Sequence, residues 1–256
     1  MNENQQAREI ERVITRSVLY KLLAKSFLYP TPQNYDYLVS NAYELLLADL
    51  QVRMEKESGL VRRIYQFRSL HKDWRGSQPR EQLETEYNRL FAHLGSTKCP
   101  PYETEYGFDN IYQKTQALAD ISGFYTAFGL EISPRNTDRA DFFSTEMEFM
   151  SFLAVKEAHA LEQHENEHEE ICREAQRKFL TDHLGRWVGI FVQVLEKSTG
   201  HQFYLSLAKL AEQFLESEFI VLAVAPRKVA ALAEQRKQIP EAFSCDGCVT
   251  TPPAYP

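Results

Sequence analysis

Apolar residues recur at intervals of three and four along most of this 256-residue chain. Such spacing places the side chains on one side of an α-helix. No window of five or more residues alternates apolar and polar positions between turn signals, as a half-buried strand would. The pattern therefore predicts an all-α protein. Three clear examples are Leu83–Tyr87–Leu90–Leu94, Leu180–Leu184–Trp187–Phe191 and Phe203–Leu207–Leu210–Phe214.

Prolines fall between these periodic stretches, where they end or begin helices. Because several helices each carry one apolar face, those faces must pack together as a bundle. We predict one helical domain of about nine helices over residues 1–237 and a flexible Pro-rich tail over 238–256. The predicted helices are 6–28, 34–56, 59–74, 80–94, 110–128, 138–163, 167–197, 201–223 and 227–237.

Charge and composition narrow the possible partners. The 29 basic and 36 acidic side chains give a net charge of -7, which disfavours nucleic acid and favours cationic peptides. The longest apolar run, 219–225, is too short to span a bilayer, so no membrane span is predicted. The first residues lack the basic and apolar regions of a secretory signal, and we therefore predict a cytoplasmic location.

The string His164-Glu165-Asn-Glu-His168 matches the H-E-x-x-H pattern, in which two histidines bind zinc and the glutamate acts as a base. Taken alone, the string suggests a zinc-dependent hydrolase, and we keep this as an alternative. A zinc-protease helix lies in the core and has apolar flanks, whereas residues 162–170 contain no apolar side chain. We interpret the string as a solvated helix end or an interhelical turn.

Cys245 and Cys248 form a C-x-x-C pair that could be half of a zinc site or a redox pair. A second ligand pair is missing nearby, so we interpret them as two free thiols in the tail. No phosphate-binding loop, nucleophile elbow or dinucleotide fingerprint is present. The sequence therefore predicts no cofactor and no enzymatic activity.

Five motifs follow one another along the chain. They are Glu-Tyr-x-Arg-Leu-Phe at 86–91, Pro-Pro-Tyr-Glu at 100–103, Phe-Tyr-x-x-Phe-Gly-Leu at 124–130, Asp-x-x-x-x-Glu-Met-Glu-Phe-Met at 141–150 and Phe-Leu-x-x-His-Leu-x-x-Trp at 179–187. In this order they resemble the TorD/DmsD/NarJ family of all-helical cytoplasmic chaperones for molybdenum-containing redox enzymes. The resemblance covers about residues 15 to 220, and it is strongest to the delta proteins of the nitrate, selenate and chlorate reductase and ethylbenzene or dimethylsulfide dehydrogenase systems. One position departs from the pattern, because Phe142 stands where the family commonly has histidine, and no imidazole role is implied there.

The resemblance implies a chaperone that serves one client. It would bind the twin-arginine signal peptide and the apo form of a molybdenum-containing catalytic subunit, and it would delay export until the cofactor is inserted. The protein would be a monomer or a domain-swapped dimer. A permanent structural subunit of an oxidoreductase complex remains an alternative.

A receptor for two arginines followed by an apolar stretch needs carboxylates beside an apolar groove. Tyr87 and Leu90 also continue the apolar stripe of their helix, and Asp141 also suits the first turn of a helix capped by Asp138. The predicted client-binding residues are Tyr87, Leu90, Phe91, Pro101, Tyr102, Glu103, Asp141, Phe142 and Glu146, with Glu105 and Tyr106 beside them.

Overall fold

A computed structural model describes residues 2–54, 58–77, 79–92, 99–108, 110–131 and 138–229. The helices are α1 (Glu3–Ser26), α2 (Pro32–Val39), α3 (Asn41–Arg53), α4 (Gly59–Trp74), α5 (Arg80–Phe91), α6 (Ile111–Ala127), α7 (Phe143–Glu162), α8 (Asn166–Phe179), α9 (Gly185–Ser198) and α10 (Gln202–Val221). A π-helical turn, Leu180–Leu184, joins α8 to α9 without a break, and Glu103–Glu105 forms one turn of 3-10 helix. The predicted all-α class is confirmed, and with α8 and α9 counted as one continuous helix, these residues form the expected nine.

Side-chain caps fix several helix ends. The Val61 N–H donates to the Ser58 hydroxyl at 3.2 Å, and α4 occupies the predicted range. The predicted helix 34–56 is wrong in one respect, because the chain is extended at Ser40 and divides it into α2 and α3. The Ser40 hydroxyl accepts from the Tyr43 N–H at 3.1 Å and begins the second helix.

The last predicted helix, 227–237, is wrong over its first residues, because residues 224–229 are not helical. Residues 230–237 lie outside the described part of the chain, as do the predicted tail and its Cys245 and Cys248. None of the helices in the described ranges has both the length and the apolar character that a membrane crossing requires.

The core forms where α1 packs along α7, α7 packs along α8, and α10 packs along α4. Aromatic rings fill its centre. Phe27 meets Phe143 edge to face at 4.6 Å between centroids, and Phe143 and Trp187 meet at 6.0 Å. These contacts hold the first residues of α7 and α9 side by side, which sets the position of the loop that precedes α7.

A buried ion network joins four helices. Arg16 Nε of α1 donates to Glu218 of α10 at 2.8 Å, and its terminal nitrogens donate to Glu157 of α7 at 3.2 Å and to Gln176 of α8 at 2.7 Å. The Tyr20 hydroxyl also donates to Glu218, at 2.9 Å. Both carboxylates are at most 1% exposed, so their negative charge is balanced by protein groups rather than by water.

Candidate functional site

Two loops that are distant in sequence meet in an antiparallel β-bridge between Tyr102 and Phe142. The first loop contains residues 99–108, and the second contains residues 138–142, directly before α7. Beside the bridge, the Glu103 N–H donates to the Asp141 carbonyl at 3.0 Å. The aromatic rings of Tyr102 and Phe142 lie 5.6 Å apart. The predicted client-binding residues of the second and fourth motifs are therefore brought together.

The Asp141 carboxylate ties the first loop to the start of α7. It accepts from the Thr104 N–H at 3.0 Å, from the Thr104 hydroxyl at 2.8 Å and from Arg139 Nε at 2.9 Å. The helix predicted to begin near Asp138 begins at Phe143 instead, so the prediction that Asp141 lies in the first helical turn is wrong. Because its hydrogen-bonding capacity is used by the loop, Asp141 positions backbone rather than capping a helix.

Arg139 covers this junction from the solvent side. Its guanidinium lies 4.6 Å from the centroid of the Tyr102 ring and donates to Glu105 at 3.1 Å. Lys114 of α6 donates to the same carboxylate at 3.0 Å. Partial burial alone would raise the pKa of Glu105, but the hydrogen bonds and charges of Lys114 and Arg139 outweigh it and lower that pKa.

Two further acidic side chains lie behind the bridge as a buried pair. Glu146 is fully buried and Glu103 is 1% exposed. Trp187 Nε1 donates to Glu146 Oε2 at 3.1 Å, while Glu146 Oε1 has no donor among the described residues. Burial raises the pKa of Glu146 well above its usual value, and repulsion from Glu103 adds to the rise. Glu146 therefore keeps its proton to a higher pH than an exposed glutamate does.

We expect Glu146→Gln to stabilise the protein increasingly as the pH rises above 4.5, the ordinary pKa of a glutamate. The pKa of Glu146 is near 4.5 when unfolded and higher when folded, so between those values the folded state binds more protons and wild-type stability falls with pH. The glutamine side chain keeps an oxygen that can accept the hydrogen bond from Trp187, but it has no proton that titrates in this pH range. The gain is at most about 1.4 kcal/mol per pH unit, measured by urea unfolding at each pH. A stability difference that stays constant with pH would contradict the buried proton.

An open cleft of about 1080 Å³ adjoins the buried pair. Its walls come from the loop at Glu103–Phe108, from one side of α6 and from the π turn with the first residues of α9, and residues 224–229 border it. Three carboxylates line it, from Glu103, Asp120 and Asp182, with Arg186 as the cation of those walls. We call this opening the acidic cleft.

The π turn places His183 at the floor of the acidic cleft. Its Nδ1 lies 3.2 Å from Glu103 Oε2, and its Nε2 lies 3.2 Å from Asp120 Oδ2 without forming an aligned hydrogen bond. Gly185 allows the turn to close, since a Cβ there would lie 2.3 Å from the Leu180 carbonyl oxygen. π turns are frequent at functional sites. The cleft therefore combines the buried carboxyl group of Glu103, the buried imidazole of His183 and the exposed carboxylate of Asp120 in one contiguous set, with Glu146 behind Glu103.

The predicted client-binding residues lie together, but they are less exposed than residues that line an open groove would be. Tyr102 is half-buried, and all the others are buried. In this conformation a ligand reaches Tyr102 and the cleft edge of Glu103, and it reaches the others only if the two loops move. Direct contact with a client stays a prediction for all nine residues, and for Tyr87, Leu90, Phe91, Pro101, Asp141, Phe142 and Glu146 it also requires that movement.

The sequence analysis did not select Asp182 or Arg186 of the acidic cleft, nor the pair His183 and Asp120. His183 belongs to the last family motif, but a histidine on an apolar helix face looks like a core residue. Asp120 lies on the polar side of a regular helix and gives no signal by itself. Only the π turn brings them within ion-pair distance.

The H-E-x-x-H string does not form a metalloprotease site. His164 has a positive φ of 58° and lies in the turn between α7 and α8, as our interpretation of an interhelical turn expected. Its two histidines are therefore not one turn apart on a helix. Over the described ranges, no group of three His, Cys, Asp or Glu side chains is arranged to hold a metal ion. The zinc-hydrolase alternative has no support in this geometry.

Fold and site together define an all-helical protein with an acidic cleft beside two joined loops. The model of the nitrate reductase delta subunit family matches residues 55–193, which is more than half of the chain. The chain belongs to this family. The resemblance to the NarJ-type chaperones that the five motifs indicated is thereby confirmed.

Two curated relatives are described as assembly chaperones. The perchlorate reductase assembly chaperone protein of Dechloromonas aromatica (strain RCB) is 29% identical over 135 residues, which cover 52% of this chain and 59% of the relative. The chlorate reductase assembly chaperone protein of Ideonella dechloratans is 33% identical over 140 residues, covering 52% of this chain and 68% of the relative. The first match thus spans less than two thirds of the relative. Neither name describes a catalyst, in agreement with the expectation that this chain is not an enzyme.

Proposed function

We propose that this protein is an assembly chaperone for a molybdenum-containing oxidoreductase. It binds the catalytic subunit before cofactor insertion is complete and leaves the finished enzyme. Membership of the nitrate reductase delta subunit family supports this proposal, as do the names of the perchlorate and chlorate reductase relatives.

The part of the client that it recognises is the twin-arginine signal peptide. The observation that carries this step is the acidic cleft, whose lining includes three carboxylates and two arginines, Arg186 and Arg227. Asp120 and Asp182 are exposed there, and the Asp120 side chain is 64% exposed, so a guanidinium can reach it without rearrangement. Bidentate Arg–carboxylate contacts are among the stronger hydrogen-bonded pairs in proteins.

Apolar surface continues from the carboxylates. Phe108 and Ala117 line the same cleft, and Tyr102 is half-buried at the junction of the loops. A leader whose arginines occupy the carboxylate end can place its apolar stretch along this side. The net charge of -7 favours approach of a cationic segment at low ionic strength. Charge, shape and polarity therefore agree on a cationic peptide with an apolar continuation.

The purified protein is expected to bind the client's leader peptide with a dissociation constant near 1 μM, about -8 kcal/mol. Changing both arginines to alanine should weaken binding at least tenfold, because it removes two charge-assisted contacts. Changing both to lysine should give an intermediate loss, since the charge remains and the bidentate geometry is lost. Isothermal titration calorimetry with the three peptides measures this. Equal affinities for all three would exclude recognition of the arginine pair.

Delay of export is tested separately by co-purification. The chaperone should co-purify with the cofactor-free catalytic subunit and not with the mature exported enzyme. Recovery with the mature enzyme in fixed proportion would instead support a permanent structural subunit.

A further inference from the structure

The chain that follows α10 crosses the border of the acidic cleft. Residues 224–229 are not helical, and Ala225 and Arg227 line the cleft. The Val229 N–H donates to the Arg186 carbonyl at 2.9 Å. This hydrogen bond attaches the segment to the first turn of α9, directly after the π turn that carries His183.

Two glycines allow this segment to approach closely. A Cβ on Gly185 would lie 2.6 Å from Pro226 Cγ, and a Cβ on Gly107 would lie 2.8 Å from Val229 Cγ1. Gly107 also has a positive φ of 77°, a backbone conformation that favours glycine. The cleft border is thus shaped to receive an extended backbone at these two points.

The segment and the residues after it have the same order of charged and apolar residues as the proposed leader peptide. Arg227 and Lys228 are adjacent cations, and the residues that follow, 229–233, are Val-Ala-Ala-Leu-Ala. A cation pair followed by an apolar run is the pattern that defined the client leader above. The chain therefore carries, at the border of its own acidic cleft, a segment of the same chemical class.

We propose that the acidic cleft is a binding site for a dibasic segment with an apolar continuation, and that residues 224–229 are its resident occupant in the free protein. The identity of the displacing ligand, a client leader, rests on the function proposed above. The proposals for the binding site and for its occupant depend only on the geometry and sequence of this chain.

The resident segment leaves the acidic groups of the cleft available, since Arg227 lines the cleft without an ion pair to any of its carboxylates in the described part of the chain. His183 is 3% exposed, and its Nε2 has no hydrogen-bond partner at the cleft floor. The Arg186 guanidinium lies within the cleft, where it donates to the Asp182 backbone carbonyl at 3.2 Å and lies 5.8 Å from the Phe108 ring. Asp120 retains an exposed carboxylate. A second guanidinium therefore has partners here.

The resident segment is held weakly enough to be displaced. Arg227 and Lys228 are exposed, and the segment is attached by the hydrogen bond of Val229 to Arg186, by the contacts at the two glycines and by partial packing of Val224 and Val229 against the core. Lys228 lies close enough to Glu212 of α10 to oppose the rise that partial burial causes in the pKa of that carboxyl. Because the segment is part of the chain, its local concentration is high, and it lowers the apparent affinity of any competitor.

The test uses full-length protein and a labelled peptide with the sequence of residues 223–235, added in trans. The double variant Arg227→Ser, Lys228→Ser should bind this peptide about fivefold or more tightly than wild type, because the resident competitor is weakened. Its matched control is Arg62→Ser, Arg63→Ser on α4, which removes an equal charge from a helix that does not line the cleft. Fluorescence anisotropy gives the affinities.

A second pair of variants locates the bound peptide. Asp120→Asn in the double-variant background should weaken peptide binding about tenfold, whereas Asp73→Asn on α4 should not. The proposal is overturned if the peptide fails to bind, if wild type and the double variant bind equally, or if the Arg62, Arg63 control gains as much affinity. If this peptide behaves as expected but the client leader does not bind, the proposed function fails and the occupied cleft stands.

Discussion

Replacing Arg16 by methionine is expected to lower the free energy of unfolding by about 3–5 kcal/mol, the typical loss when one partner of a buried ion pair is removed. The change leaves Glu157 and Glu218 in the core without an opposing charge. Burial alone would lower the pKa of Arg16, but the charge and hydrogen bonds of Glu218, with Glu157, raise it, so the guanidinium stays charged. Urea unfolding followed by circular dichroism measures the loss.

The control is Arg12→Met, which lies one turn earlier on α1 and has a side chain 66% exposed, paired with Glu9. Its cost should stay below about 1 kcal/mol, as for surface pairs. Adding Glu218→Gln to Arg16→Met should recover part of the loss, because it removes one unbalanced charge. A loss for Arg16→Met no greater than that for Arg12→Met would show that the network contributes little.

Replacing Asp141 by alanine is expected to cost about 3 kcal/mol and to release the first loop from α7. The change removes the acceptor of the buried Thr104 N–H and hydroxyl and of the Arg139 guanidinium, and unpaired buried donors cost about 1–3 kcal/mol each. Hydrogen exchange at the Thr104 amide should accelerate well before global unfolding. Affinity for the leader peptide should fall as well, since the loop carries Glu103.

Glu105→Gln is the matched control for Asp141→Ala. Glu105 also binds Arg139, at 3.1 Å, but its side chain is 32% exposed, so its loss should cost less than about 1 kcal/mol. Equal losses for the two variants, or an unchanged exchange rate at Thr104, would show that Asp141 does not hold the loop.

The helices were predictable where local signals and tertiary packing agree. The range of α4 follows from its apolar spacing and from Ser58, which caps it. The break at Ser40 was not recognised because apolar residues continue through it, although a serine before a helical stretch is itself a cap signal. Residues 227–229 also look helical in sequence, but they are not helical, and the Val229 N–H donates to the Arg186 carbonyl rather than within a helix.

The sequence allowed several residues of the site to be predicted, but it did not allow their burial or their contacts to be predicted. The motifs grouped Glu103, Asp141 and Glu146, which the fold does bring together. Acidic residues are usually exposed or paired at the surface, so a sequence gives no reason to bury three of them within one region. Their burial depends on Trp187, His183 and Thr104, which come from other parts of the chain. The π turn likewise has no sequence signature, because its hydrogen bonds depend on packing at Gly185.

The bridge between Tyr102 and Phe142 has a mechanical consequence for α6. It joins the chain just before this helix to the chain just after it, so α6 belongs to a loop that is closed at its base. Within α6, only Ala117, Ile121 and Tyr125 are buried. The Tyr125 hydroxyl also donates to the Ala140 carbonyl at 2.8 Å, and its ring packs against Phe149 and Phe179. Any outward movement of α6 would have to break these contacts, so the bridge and Tyr125 together hold in place the wall of the cleft that α6 supplies.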